Sequence, residues 1–249
     1  MLDLPTYLLL ALAGLAAGFV DAIAGGGGLL TVPALLWAGL PPQMALGTNK
    51  LQSSFGTALA AVNYARAGLL RWRELRLGIV ITALAAVAGS LVVARLDAGF
   101  LRRVIPGLLI VIAGVFFFRP ELGVKRRAPR MTSAAFAWSC DLALGFYDGF
   151  FGPGAGSFWM VACVLLLGFE LDAATGHTKA MNLASNLGAL AVFLAMRQVR
   201  FDVGAVMIVG QLLGAKLGSG LVIRRGARLV RPVFLAVVLL LAARLLWPR

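Results

Sequence analysis

The 249 residues are 61% hydrophobic and 13% charged, against roughly 45–50% and 25% in soluble domains, which excludes a soluble globular enzyme and defines an integral membrane protein. At about 20 apolar residues per span, the chain holds roughly eight to ten helical segments and leaves no room for a separate catalytic domain. A net charge of +13 would suit a nucleic-acid partner in a soluble chain, but here the basic residues cluster in short loops between apolar runs. That is the positive-inside pattern of a chain in a lipid bilayer, and no nucleic acid is expected.

The first apolar run, near 6–23, follows Met1-Leu2-Asp3-Leu4-Pro5. No basic stretch precedes it, so it reads as a retained span and not as a cleaved signal. Asp21 and then Gly25, Gly26, Gly27 and Gly28 interrupt the run before a shorter apolar segment near 28–39. A single helix over residues 6 to 40 would be roughly 50 Å long at about 1.5 Å per residue, while the bilayer core is about 30 Å thick. The glycines therefore predict a turn within or near the membrane, and a short re-entrant helix back to the starting side. Pro33 is expected within the first turns of that helix, where its missing N–H costs little.

The next segment, 44–66, opens with Gly47-Thr48-Asn49-Lys50 and continues with Gln52, Ser53, Gly56, Thr57 and Asn63. Counted from Asn49, helical spacing puts Gln52, Ser53, Gly56, Thr57 and Asn63 in one polar stripe of an otherwise apolar helix. Segments near 75–95 and 100–118 complete the first half, and a basic linker at 119–130 follows.

The second half repeats the plan near 132–150, 155–169, 175–196, 203–223 and 229–247. Asp148, Gly152-Pro153-Gly154-Ala155-Gly156 and Gly176-His177-Thr178-Lys179 lie about 127 to 129 positions after their first-half counterparts. A fixed shift of this kind marks internal duplication. Interrupted hydrophobic segments at corresponding places in two halves point to a secondary transporter's binding site.

Five segments per half is an odd number, so the halves are expected to have opposite orientations. The predicted fold is an all-α membrane protein of two inverted-topology repeats, residues 1–118 and 131–249, joined by a basic cytoplasmic linker at 119–130. Each repeat has about four transmembrane helices plus a short broken helix after the glycine turn. Placing loops 66–76, 119–130 and 224–231 inside collects 13 Lys and Arg there against 7 outside, with both termini outside. Parallel repeats would give the same count, so segment length carries the choice.

The candidate chemistry lies in the repeated motifs. Glycine turns leading into helices present backbone N–H groups and the positive end of a helix dipole, as anion sites do, although a tight turn and close packing alone would equally call for glycine. Lys50 and Lys179 sit where a lysine either snorkels to the interface or is functional. Lys216 has no partner in the first half and is expected to snorkel. Together these features predict a small anionic substrate contacted by Gly25, Gly26, Gly27, Gly28, Thr48, Asn49, Lys50, Gln52, Gly152, Gly154, Gly156, His177, Thr178, Lys179 and Asn182. Asp21 and Asp148 are either carriers of a coupling proton or ion, or structural partners of lysine and turn N–H groups. Ser53, Thr57, Ser185 and Asn186 extend the stripes or simply join helices.

His177, the only histidine, either ligates substrate or proton or packs as a satisfied imidazole. It has no carboxylate or thiolate company for a metal, and Cys140 and Cys163 read as small core residues, so no metal, disulfide or other cofactor is expected.

Asp21 through Pro33, Gly47 through Ser53, Gly145 through Gly154 and Gly176 through Asn186 strongly resemble the TauE/SafE family of sulfite exporters over nearly the whole chain. The resemblance implies a multi-pass inner-membrane transporter for small anions, sulfite and organosulfonates among them, driven by an ion gradient, in a family whose members differ in substrate. A homodimer is compatible with it. The residues leave an anion channel, an intramembrane enzyme built on His177 and Asp148, and a scaffold as alternatives. The unequal motifs, Thr48 against His177 and Gly26 against Pro153, argue that the two half-sites do not contribute equally.

Overall fold

The computed structural model describes residues 2–101, 107 and 128–225. The predicted segments near 100–118 and 229–247, and most of the 119–130 linker, lie outside these residues. Everything regular among the described residues is helical.

Asp3 starts the first helix by accepting the Thr6 N–H at 3.3 Å, and Pro5 lies in the first turn, where no intrahelical donor is needed. Helix α1 (Leu4–Ala24) ends at Gly25, whose φ of 75° and ψ of 164° suit only glycine. The chain reverses, and α2 (Gly28–Trp37) returns along α1. Leu35 of α2 and Leu10 of α1 meet in one apolar cluster with Leu40, Ala45, Val203 and Met207. Pro33 is the sixth residue of α2. It lies within the first turns, as expected, but beyond the first helical position, so the Leu29 carbonyl has no helical N–H to accept. Helices α3 (Pro42–Arg66) and α4 (Trp72–Ala94) follow.

The second half opens in the same way. Thr132 caps α5 (Ser133–Phe136) by accepting the Ala135 N–H at 3.2 Å. A π-helical turn, Ala137–Asp141, leads into α6 (Leu142–Phe150). Gly152 and Gly154, with φ of 94° and 84°, reverse the chain into α7 (Ala155–Leu166). Its end comes back to the start of the half, where Arg130 N–H donates to the Leu166 carbonyl at 2.8 Å. Helices α8 (Leu171–Ala195) and α9 (Phe201–Arg225) complete the described chain.

Glycines set the closest helix pairs. Gly210, Gly214 and Gly218 of α9 face the backbone of Ala11, Leu15 and Phe19 on α1, and Gly145 and Gly149 of α6 face Thr82 and Ala86 on α4. These are close backbone approaches of the kind that hold membrane helices together without a hydrophobic driving force. In both pairs the contacts advance in step, so each pair runs in the same direction. Along α3 and α9 the pairs Leu51–Gly204, Gly56–Gln211 and Asn63–Ser219 also advance in step. Between α3 and α8 the order is reversed: Gly47 meets Phe193 and Gln198, Lys50 meets Asn186, and Leu69 meets Gly176.

Among the described residues, α1, α4 and α9 are long and apolar enough to cross a membrane. Helices α3 and α8, 25 residues each, are as long but carry the polar stripes. Apart from the half-buried Ser53 and Asn63, those stripes are buried in the bundle, away from lipid. Lys216 is exposed on α9, in keeping with snorkelling.

Candidate functional site

Both glycine turns end at the middle of the bundle, where they touch. A Cβ on Gly25 would lie 2.5 Å from the Gly156 carbonyl carbon, and Gly28 abuts Pro153. Ser157 Oγ donates to the Ala24 and Gly25 carbonyls at 2.9 and 3.2 Å, which fastens one turn to the other. Neither α2 nor α7 has a side-chain N-cap. Their N-terminal ends, marked by Gly28 and Gly156, face a shared cavity.

Ion pairs cross between the halves beside this contact. Lys50 of α3 donates to Asp148 at 2.7 Å and to Asn186 Oδ1 at 3.1 Å, and Asp148 also accepts from Ser185 Oγ. Lys179 of α8 donates to Asp21 at 2.9 Å, whose other oxygen accepts the Gly27 N–H at 3.3 Å. Both lysines are essentially inaccessible, at 1% and 0% exposure. Neither snorkels. Each lysine thus neutralises the aspartate of the opposite half, as buried charges require. The polar network continues through Asn49 Oδ1, which accepts from Thr31 Oγ1 at 2.5 Å and Gln52 Nε2 at 2.9 Å.

The cavity between these groups is lined by Asp21, Gly26, Gly28, Asn49, Lys50, Ser53, Asp148, Gly152, Gly156, Asn182 and Asn186, and measures about 20 Å³. That is room for about one water-sized body between the charges. Asn182 has its side-chain oxygen unpaired.

Most of the expected site residues converge here, but not all of them line the cavity. Gly25, Gly27 and Gly154 shape the turns, Lys179 pairs with Asp21 just behind the lining, and Gln52 orients Asn49. Thr178 is buried with its hydroxyl unpaired, away from the cavity lining.

Two positions lie elsewhere. Thr48 Oγ1 accepts the Arg200 N–H at 2.9 Å, beside a surface cluster in which Arg200 and Tyr7 both bond Asp202. It fixes the start of α9 and contacts no part of the cavity. Thr48→Val is expected to lower stability by about 1 kcal/mol, the size of one such hydrogen bond, and to leave ligand-induced shifts in melting unchanged.

His177 packs edge-on between Phe136 and Phe169, and neither ring nitrogen has a partner. It stands eight residues, about 12 Å of helix rise, from the Ser185 that bonds Asp148, so the His177–Asp148 pairing an intramembrane enzyme would need is not formed. Transport by His177→Phe at the wild-type rate is the expected result; a loss of substrate affinity would return the histidine to the site.

Ser53 and Asn186 line the cavity although they read equally well as helix glue from sequence. Their place on the stripes of Asn49 and Asn182 was the available signal. Ser157 had none, because a single serine after a glycine turn is indistinguishable from packing.

Apolar spans around a buried, charge-balanced centre with two half-depth helices define a multi-pass membrane protein of transporter type. The family profile "Sulfite exporter TauE/SafE" matches residues 10–245, and the chain belongs to that family. It is 44% identical over 231 residues to "Probable membrane transporter protein YfcA" of Escherichia coli strain K12, covering 93% of this chain and 86% of that protein. It is 44% identical over 248 residues to "Probable membrane transporter protein ORF9" of a Sinorhizobium species, covering 99% and 95%. A "Probable membrane transporter protein" of Haemophilus influenzae is 42% identical over 234 residues, covering 94% and 92%. The chain is a membrane transporter, embedded in the cell membrane and acting on a small molecule.

Proposed function

We propose that this chain is a secondary transporter that moves a small anion, sulfite or an organosulfonate, by alternating access between two halves of inverted topology. The opposed direction of α3 and α8, with α1 and α9 following α3 and with α4 following α6, supports that symmetry. The observation that carries the reading is the crossed pairing of Lys50 with Asp148 and Lys179 with Asp21 beside a narrow cavity at the helix N-termini.

A sulfur oxyanion has the features this centre would complement. Its oxygens can accept N–H groups from both lysines and from the ends of α2 and α7, where the dipoles favour negative charge. The anion must displace the aspartates to reach the lysines, so binding and opening of the crossed pairs are one event. Because each pair joins opposite halves, releasing it frees one half to move against the other. A ligand that binds one arrangement better than the other shifts the population accordingly.

Counterflow in proteoliposomes with a panel of labelled sulfite, organosulfonates and carboxylates tests this. Saturable exchange of a sulfur oxyanion by wild type, lost in Lys50→Ala and Lys179→Ala that remain folded, is the expected outcome. A current that does not saturate would indicate a channel, and full activity of both alanine variants would remove the lysines from the mechanism.

A further inference from the structure

Asp141 closes the π-helical turn before α6 and is buried, at 1% exposure, yet it lines no part of the central cavity. One of its carboxylate oxygens accepts the Trp159 indole N–H at 2.9 Å. The other lies against Gly78 of α4. Among the described residues no lysine, arginine or histidine pairs with it. The titratable groups that face it are thiols, Cys163 of α7 and Cys140 of its own helix, while α4 offers Gly78 and α8 offers Met181.

An ionised carboxylate in such a place is strongly disfavoured unless a cation accompanies it. Asp21 and Asp148 have lysines. Asp141 has none among the described residues, and a proton would supply the missing countercharge. Packing does not require an acid here, because the equivalent position of the first half is Gly14, set against the Met207 backbone.

The place of Asp141 along the chain also matters. It stands seven residues, about 10 Å of helix rise, before Asp148, on the side of the bundle toward Thr132 and Arg130. The π-helical turn itself is a feature found frequently at functional sites.

We infer that Asp141 is a proton-binding site that loads from the Arg130 side and supplies the coupling proton toward Asp148, so that proton movement runs through the second half only. In balanced form, the Asp141 carboxyl gives its proton to the Asp148 carboxylate as Lys50 turns to the anion, and Asp141 is then reprotonated from the aqueous side. A water or a rotamer change must span the distance. This rests on the transport reading above.

Infrared difference spectroscopy of the purified protein reads the proton directly. A protonated-carboxyl C=O band is expected in wild type, retained in Asp21→Asn and Asp148→Asn, removed by Asp141→Asn and shifted by Asp141→Glu. In proteoliposomes, Asp141→Asn is expected to lose uptake driven by a pH gradient, and Asp141→Glu to retain it. Superimposable spectra of wild type and Asp141→Asn overturn the proton site. Gradient-driven uptake by Asp141→Asn at the wild-type rate overturns its role in coupling. Wild type inactive in counterflow with every anion of the panel sinks the transport reading instead, and the infrared band still decides the proton site. If Asp141→Asn does not fold, the band shift in Asp141→Glu decides.

Discussion

Lys50→Met is expected to be among the most damaging single substitutions in this chain, costing about 3–5 kcal/mol, because it strands the Asp148 carboxylate in the bundle with Ser185 as its remaining hydrogen-bond partner among the described residues. Adding Asp148→Leu should recover most of that stability, since replacing both members of a buried pair by apolar groups is close to neutral. Transport should stay lost in both variants. Lys179→Met should behave the same way and be rescued by Asp21→Leu. The informative comparison is the crossed one. Asp21→Leu should not rescue Lys50→Met, although both residues belong to the first half, because the pairs join opposite halves. Apparent melting temperatures of the single and double variants in one detergent are sufficient to read this. Rescue within a half would mean that the lysines exchange partners, and the coupling of anion binding to movement between halves would fail with it.

Gly25→Ala should have an effect of similar size for a different reason. Its backbone conformation is essentially restricted to glycine, and an added Cβ would press on the Gly156 backbone of the opposing turn. Backbone strain and overpacking together give roughly 3 kcal/mol or more. Gly39 is the matched control, with φ of 86° but no atom within 4 Å of the place an alanine methyl would occupy. Gly39→Ala should cost about 1 kcal/mol, the strain alone. Unfolding measured on both variants separates the two contributions. Equal losses would show that the turns tolerate separation, and their contact would then have no part in closing the site.

Pro33 falls within the first turns after the glycines, as its place in the sequence suggests, but as the sixth residue of α2 it lies too deep for its missing N–H to be free of cost. The glycines set the start because they hold the positive-φ turn. Pro33 is then accommodated within a short helix whose other backbone bonds and packing against α1 outweigh the one that is missing.

Length, apolar content and the repeated glycine-lysine motifs determined by themselves that the chain is a membrane protein with a repeated motif plan, where the described helices lie, and that each half folds back at its glycines. These properties depend on residues near one another in the chain: a run too long for one span must turn, and glycine permits the turn. The tertiary structure alone decided which lysine meets which aspartate, that Thr48 and His177 stand outside the centre, and that Asp141 is buried with no cation beside it among the described residues. Each of these depends on contacts between different helices, or on which face of a helix turns toward the centre. Equal spacing in two repeats cannot reveal them, because the same motif fits pairing within a half as well as pairing across halves until the direction and packing of the helices are known.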